Sequence, residues 1–219
     1  VSTRPGAEDI PEDVELEIIT KSVKSLRTAF PAARLSIDTW RASVARAAVA
    51  VGAQMINDIS GGTFDPDMIP LMGELQVPYC LMHCPAKPEV MQQNVHYEDI
   101  ISDMLQFFGK QISLLHEAHV HDILIDPGFG FGKTLEQNYF ILNNLSAFRE
   151  LGLPMLVGIS RKSMIYKVLE CSPEEALNGT TVLNTVALLQ GASILRVHDV
   201  KAAAEAVKLV RFYKQNQNE

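Results

Sequence analysis

Two short stretches of this sequence carry side chains suited to holding an anion. Arg196 and His198 stand two apart in "SILRVHD", and "GISRKS" (158–163) sets Arg161 and Lys162 between Ser160 and Ser163. Side chains alternate along a strand, so Arg196 and His198 share one face. An arginine turned into a packed interior is costly unless it meets an anion or an acid, and alone it reads equally well as one half of an internal ion pair. Charged donors beside a helix start are what a phosphate or carboxylate requires, although "GISRKS" by itself also reads as a solvated capping turn with Ser160 or Ser163 as cap. Taken together, the two stretches are better explained by a bound anion. A second set, Asp38, Asn57 and Asp126, offers two carboxylates and one amide. Carboxylates accept from ring N–H and amino groups and an amide does both, so the three can read the donor edge of a flat heterocycle. Helix capping accounts for any one of them alone, as it does for Asp58 and Asp199, but less well for three.

The elements that must position these groups are regular. Short apolar runs at 34–38, 54–60, 78–83, 122–128, 154–160 and 193–199 are rich in Val, Ile, Leu or Met and read as strands. Helical patterns lie at 12–30, 41–51, 97–118, 137–150, 174–190 and 201–214. The first places Val14, Ile18, Leu26 and Phe30 on roughly one face, and the second stops at Gly52, a good C-terminal cap. Repeated strand–helix units imply a parallel sheet with covered faces, either an open doubly wound sheet or a closed eight-stranded barrel. Asp38, Asn57, His83, Asp126, Ser160 and Arg196 with His198 put a polar group at or beyond every strand end. An open sheet concentrates its site at one switch point, whereas a barrel gathers side chains from many strand ends, so the pattern favours an α/β fold of the TIM (β/α)8 type. About six of the eight units are legible. The chain therefore reads as a single barrel domain over 1–219, with two units expected before Val1 and "STRPG" following the second of them. A polypeptide beginning at Val1 is expected to be unstable and inactive alone.

Several look-alikes fall away on spacing. "DPGFGFGKT" suggests a phosphate loop, but the first glycine of that motif falls on Pro127, which has no N–H, and Gly128, Gly130 and Gly132 are evenly spaced. Lys133 in this stretch is expected to face solvent. Cys80, His83 and Cys84 suggest zinc, but alternation sets His83 opposite the two cysteines and no second pair exists. His116, His119 and His121 read as surface residues. No hydroxyl or thiol adjoins a base as a nucleophile requires. A net charge of -7 argues against a general nucleic-acid or anionic-membrane surface. The three cysteines form no even disulfide framework, which points to a reducing cytoplasm.

Read in order, "STRPG", "SIDT", "INDISGG", "LMH", "DPGFGFGKT", "GISRKS" and "RVHDV" resemble the dihydropteroate synthase family, pterin-binding barrel enzymes of folate synthesis, from Ser2 to Val200. The resemblance implies a cytoplasmic, homodimeric transferase of a family that is a sulfonamide target. It condenses 6-hydroxymethyl-7,8-dihydropterin diphosphate with 4-aminobenzoate and releases pyrophosphate. Asp38, Asn57 and Asp126, with Met82 beside them, match the pterin-binding positions. Lys162 matches a lysine reaching both substrates, and Arg196 and His198 match the pair that holds the diphosphate. Ser163, Phe131, Thr3, Arg4 and Pro5 match positions around the aminobenzoate and diphosphate. The resemblance implies Mg2+, with the family's metal-binding Asn expected upstream of Val1. Two alternatives are a pterin-barrel methyltransferase, which needs no diphosphate site, and a non-catalytic pterin-binding barrel.

Overall fold

Among the described residues six parallel strands stand side by side in the order in which the chain makes them. The computed structural model describes residues 10–87 and 97–216. Helix α1 (Glu12–Ala29) leads to β1 (Ser36–Asp38), and α2 (Ala42–Ala50) to β2 (Met55–Asp58). Then come α3 (Met68–Leu75), β3 (Tyr79–Met82), α4 (Ile100–Glu117) and β4 (Ile123–Asp126). Helix α5 (Leu135–Asn143) and a 3-10 turn (Leu145–Leu151) precede β5 (Leu156–Val157), and α6 (Ser163–Leu169) and α7 (Leu177–Gln190) precede β6 (Ile194–Leu195). Helix α8 (Val200–Gln215) follows. The first four strands form one ladder and β5–β6 another, and a bridge between Ile125 and Met155 joins the two.

All six expected strands are present but shorter than the apolar runs; β2 and β4 stop where their carboxyl ends curl into turns. Ser60 and Gly62 donate backbone N–H groups to Asp58, and Gly128 donates its N–H to Asp126. Register fixes which residues face the barrel interior. Asp38 pairs with Asn57 and Asn57 with Cys80, while Met82 pairs with Asp126 one layer higher. The alternate positions, Ile56, Leu81 and Ile125, are fully buried beneath the helices in the main core. Phe108 packs edge-on against Phe148 there, with ring centroids 5.9 Å apart.

The helices correct the sequence reading in three places. Val14, Ile18, Leu26 and Phe30 are exposed on α1, and the buried residues of that helix are Val23 and Glu15. The apolar stripe is the wrong guide because α1 packs through Val23 onto the small side chains Ala48 and Ala53. Glu15 is buried with its partners, accepting from Thr39 Oγ1 at 2.9 Å and from Arg41. Helix α3, absent from the expected set, forms despite Pro70 because proline sits in the first turn, where its missing N–H has no intrahelical partner anyway. The expected 137–150 helix is broken at Asn144 into α5 and the 3-10 turn.

The "GKT" of the glycine-rich stretch has a local structural role. Thr134 caps α5 in a reciprocal box: its hydroxyl accepts from Gln137 N at 3.2 Å, and the Gln137 side chain accepts from Thr134 N at 2.8 Å. Thr134→Ala is expected to cost about 1 kcal/mol of stability in urea denaturation.

Candidate active site

The carboxyl ends of the six strands bring together the two residue sets singled out by type. On one side, Asp126 is buried at the end of β4, its Oδ1 accepting from Gly128 N at 2.8 Å. Burial pushes its carboxyl above the usual range, against the pull of Lys162 first, then of the Gly128 N–H, Arg196 and Lys133. Asn57, on β2 with β3 between it and β4, is 5 % exposed. Neither its amide nitrogen nor its amide oxygen has a hydrogen-bond partner among the described residues. An unpaired buried amide costs folding free energy, so this one is placed for a ligand that donates and accepts. Met82 is buried beside Asp126 and belongs to a small apolar wall with Ile59, Cys84 and Phe131, against which Trp40 and Phe64 pack.

On the other side lie the cations. Lys162 comes from the loop after β5; its Nζ donates to the Phe129 carbonyl and stands 4.6 Å from the centre of the Phe131 ring. Burial lowers its ammonium to about 8, opposed by the carboxylates of Asp126 and Asp38. His198 is held by Ser160, its Nδ1 lying 3.0 Å from Oγ and its backbone N–H donating to the same oxygen at 3.2 Å. Arg196 donates to Asp38 at 3.1 Å and remains half exposed. The ion-pair reading of Arg196 is thus met in part, and its partner is one of the acids of the other set. Asp38 lies on the first described strand and Arg196 just beyond the last, so this pair spans the mouth between the two ends of the sheet. Ser163 opens α6 beside Lys162, while the helix cap is Lys162 itself and makes no side-chain capping bond.

Other residues lie elsewhere than expected. Arg161, read with Lys162 as an anion donor, turns the opposite way. Its guanidinium grips Asp199 through two bonds of 2.8 Å and donates to the carbonyls of Pro173 and Glu174. Asp199 accordingly makes no side-chain cap for α8. Asp58 serves a turn instead of a helix, accepting from Ser60 N, Gly62 N and the Tyr79 hydroxyl. Lys133 is 4 % exposed instead of solvent-facing. Burial raises the Cys80 and Cys84 thiols, and among the described residues no three His, Cys, Asp or Glu side chains form a group that could hold a metal ion. His83 packs edge-on against Phe107 at 5.0 Å, and burial holds its imidazole well below the usual value, with Lys133 adding to the effect. His116, His119 and His121 are exposed as expected. Thr3, Arg4 and Pro5 lie outside the described residues.

Comparison with known proteins decides the family. Residues 1–198 match the family described as pterin binding enzyme. The chain belongs to this pterin-binding enzyme family. It is 44% identical over 211 residues to the dihydropteroate synthase of Synechocystis sp., an alignment covering 95% of this chain and 73% of the relative. Its fold matches the Yersinia pestis dihydropteroate synthase solved in a sulfonamide drug complex, with a TM-score of 0.92 and 37% identity, over 99% of this chain and 78% of that one. It also matches the Xanthomonas albilineans dihydropteroate synthase solved with 4-aminobenzoic acid, with a TM-score of 0.89 and 36% identity, over 97% and 76% of the respective chains. This likeness agrees with the barrel class read from the strand ends; the described strands by themselves form an open sheet. No helix among the described residues is long and apolar enough to cross a membrane.

Proposed function

We propose that this protein works as a dihydropteroate synthase, joining 6-hydroxymethyl-7,8-dihydropterin diphosphate to 4-aminobenzoate with release of pyrophosphate. The observation that carries the reading is the buried Asn57 amide without a partner at the same strand-end mouth as the buried Asp126 carboxylate, with a basic rim of Lys162, Arg196 and His198. Asp126, Asn57 and Asp38 accept and donate at the edge of the pterin, and Met82 lies along the ring. Arg196 and His198 hold the diphosphate, with Lys162 between the substrates. Phe131 and Ser163 flank the aminobenzoate, and Thr3, Arg4 and Pro5 join this side.

The chemistry follows from the charge layout. The bond between the pterin methylene and the diphosphate oxygen breaks with both electrons going to oxygen. Cations fixed around the leaving group stabilise that developing charge. The electron-rich dihydropterin, held by Asp126, Asn57 and Asp38, stabilises the cationic methylene. The aromatic amine nitrogen then bonds to that carbon and loses a proton. Magnesium belongs to the family expectation, but the described residues do not supply a ligand cluster for it, and no step is routed through it. A homodimer is the proposed assembly, in keeping with the exposed Leu209, Phe212 and Tyr213 on α8.

The test is pyrophosphate release from the pterin diphosphate by the full-length protein. Release that requires added 4-aminobenzoate supports the synthase. Methyl transfer from a folate without pyrophosphate release favours the methyltransferase reading, and tight pterin binding without turnover favours a binding module.

A further inference from the structure

Lys133 is the most deeply buried cation of the described chain that the proposed chemistry does not use. Its Nζ donates to three backbone carbonyls, Gly128 at 3.0 Å, Phe131 at 3.0 Å and His83 at 3.2 Å. An ammonium has three donors and no acceptor, so these three carbonyls use it fully. Two of them belong to the Gly128–Gly132 loop, and the third lies just beyond β3. The loop turns its carbonyls inward because Gly128, Gly130 and Gly132 adopt φ of +68°, +81° and +57°, a conformation that suits glycine. The other bonds of the loop follow the same plan. Gly130 N donates to Asn138 Oδ1 at 2.7 Å, the Tyr97 hydroxyl donates to the Gly132 carbonyl at 3.1 Å, and Lys162 takes the Phe129 carbonyl. Two lysines thus grip one loop. Lys162 acts at the mouth of the site, and Lys133 ties the loop from within to the end of the neighbouring strand.

We propose that Lys133 is a positioning residue for the second substrate: its ammonium fixes the glycine loop so that Phe131 and the Phe129 carbonyl meet Lys162 in the geometry the aromatic amine requires. The inference rests on the synthase reading above. It distinguishes the two substrates because Asp126 lies before the loop, held by the β3–β4 register and by its bond from Gly128 N. Phe131 is itself within the tie, its carbonyl accepting from Lys133 Nζ at 3.0 Å, and its position depends on it. A reacting group displaced by about an ångström can cost up to about a hundredfold in rate.

The experiment is steady-state kinetics of full-length Lys133→Met, with wild type assayed alongside and the folded fraction followed by circular dichroism. Pyrophosphate release by wild type that fails to depend on 4-aminobenzoate removes the synthase reading itself, and with it this inference. Given wild-type activity, the expected result is a rise of about tenfold or more in KM for 4-aminobenzoate, with the KM for the pterin diphosphate changed much less. A fall in kcat matched by the loss of folded protein, with both KM values unchanged, would mark the lysine as purely structural and overturn the proposal. If Lys133→Met does not fold, Lys133→Gln, which keeps two N–H donors, is measured instead and should show the same split to a smaller degree. Failure of both variants to fold makes the lysine part of the fold and also overturns the proposal.

Discussion

Asp126→Asn is expected to weaken pterin binding by about 2–4 kcal/mol, roughly thirtyfold to several hundredfold, while leaving the protein no less stable. The substitution keeps the side-chain shape and the acceptor for Gly128 N, which lies 2.8 Å away. It removes the charge and replaces one acceptor by a donor, which opposes the ring N–H and amino donors of the pterin edge. The stability half follows from the sign of the pKa shift. Burial raises this carboxyl in the folded state above its value of 3.8 in an unfolded chain. The ionised form therefore disfavours folding above the folded-state pKa, and that cost is relieved as the pH falls through it. An amide does not carry this cost at neutral pH. Isothermal titration with a pterin ligand and a thermal melt at neutral pH check the two halves. Unchanged pterin affinity would remove Asp126 from the site.

Arg196→Ala should separate the two parts of the first substrate. Loss of a charged donor to a diphosphate is expected to raise the KM of the pterin diphosphate by about tenfold to a hundredfold. Binding of the pterin alcohol, which has no diphosphate, should stay level or improve. Arg196 donates to Asp38 at 3.1 Å, so the arginine competes with the pterin for that carboxylate when no diphosphate is bound. Its half-exposed position also lets salt screen the contact, and the wild-type KM for the diphosphate substrate should rise with ionic strength more steeply than that of the variant. Equal losses for the diphosphate and the alcohol would contradict the assignment.

The positions of Asp38, Asn57, Asp126, Lys162, Arg196 and His198 were legible because strand periodicity and strand ends are local properties of sequence, and a barrel converts strand ends into one mouth. What was not legible depends on partners distant in the chain. Arg161 and Lys162 are adjacent and alike, and only the fold reveals that Asp199 claims the first and leaves the second to the site. Glu15 carries no sign in the local sequence of its partners Thr39 and Arg41, which arrive from beyond β1. Lys133 was misread because lysines are almost never fully buried without partners. Its acceptors are backbone carbonyls, which leave no trace in residue types. The even spacing of three glycines around it was the available signal, since alternate residues at positive φ turn carbonyls toward a common centre.

The glycine loop also governs which sequences can reshape this site under selection. A side chain at Gly128 would bring its Cβ to 2.2 Å from the His83 carbonyl, a backbone atom that cannot step aside. Gly130 has room for a methyl group, its nearest neighbour standing 3.5 Å away on Lys162, but its φ of +81° penalises any other residue. At Gly158 a Cβ would meet nothing closer than Arg196 Cβ at 3.7 Å, and no such backbone penalty applies. Adaptive change is therefore channelled away from the glycine loop and toward the cationic rim around Gly158.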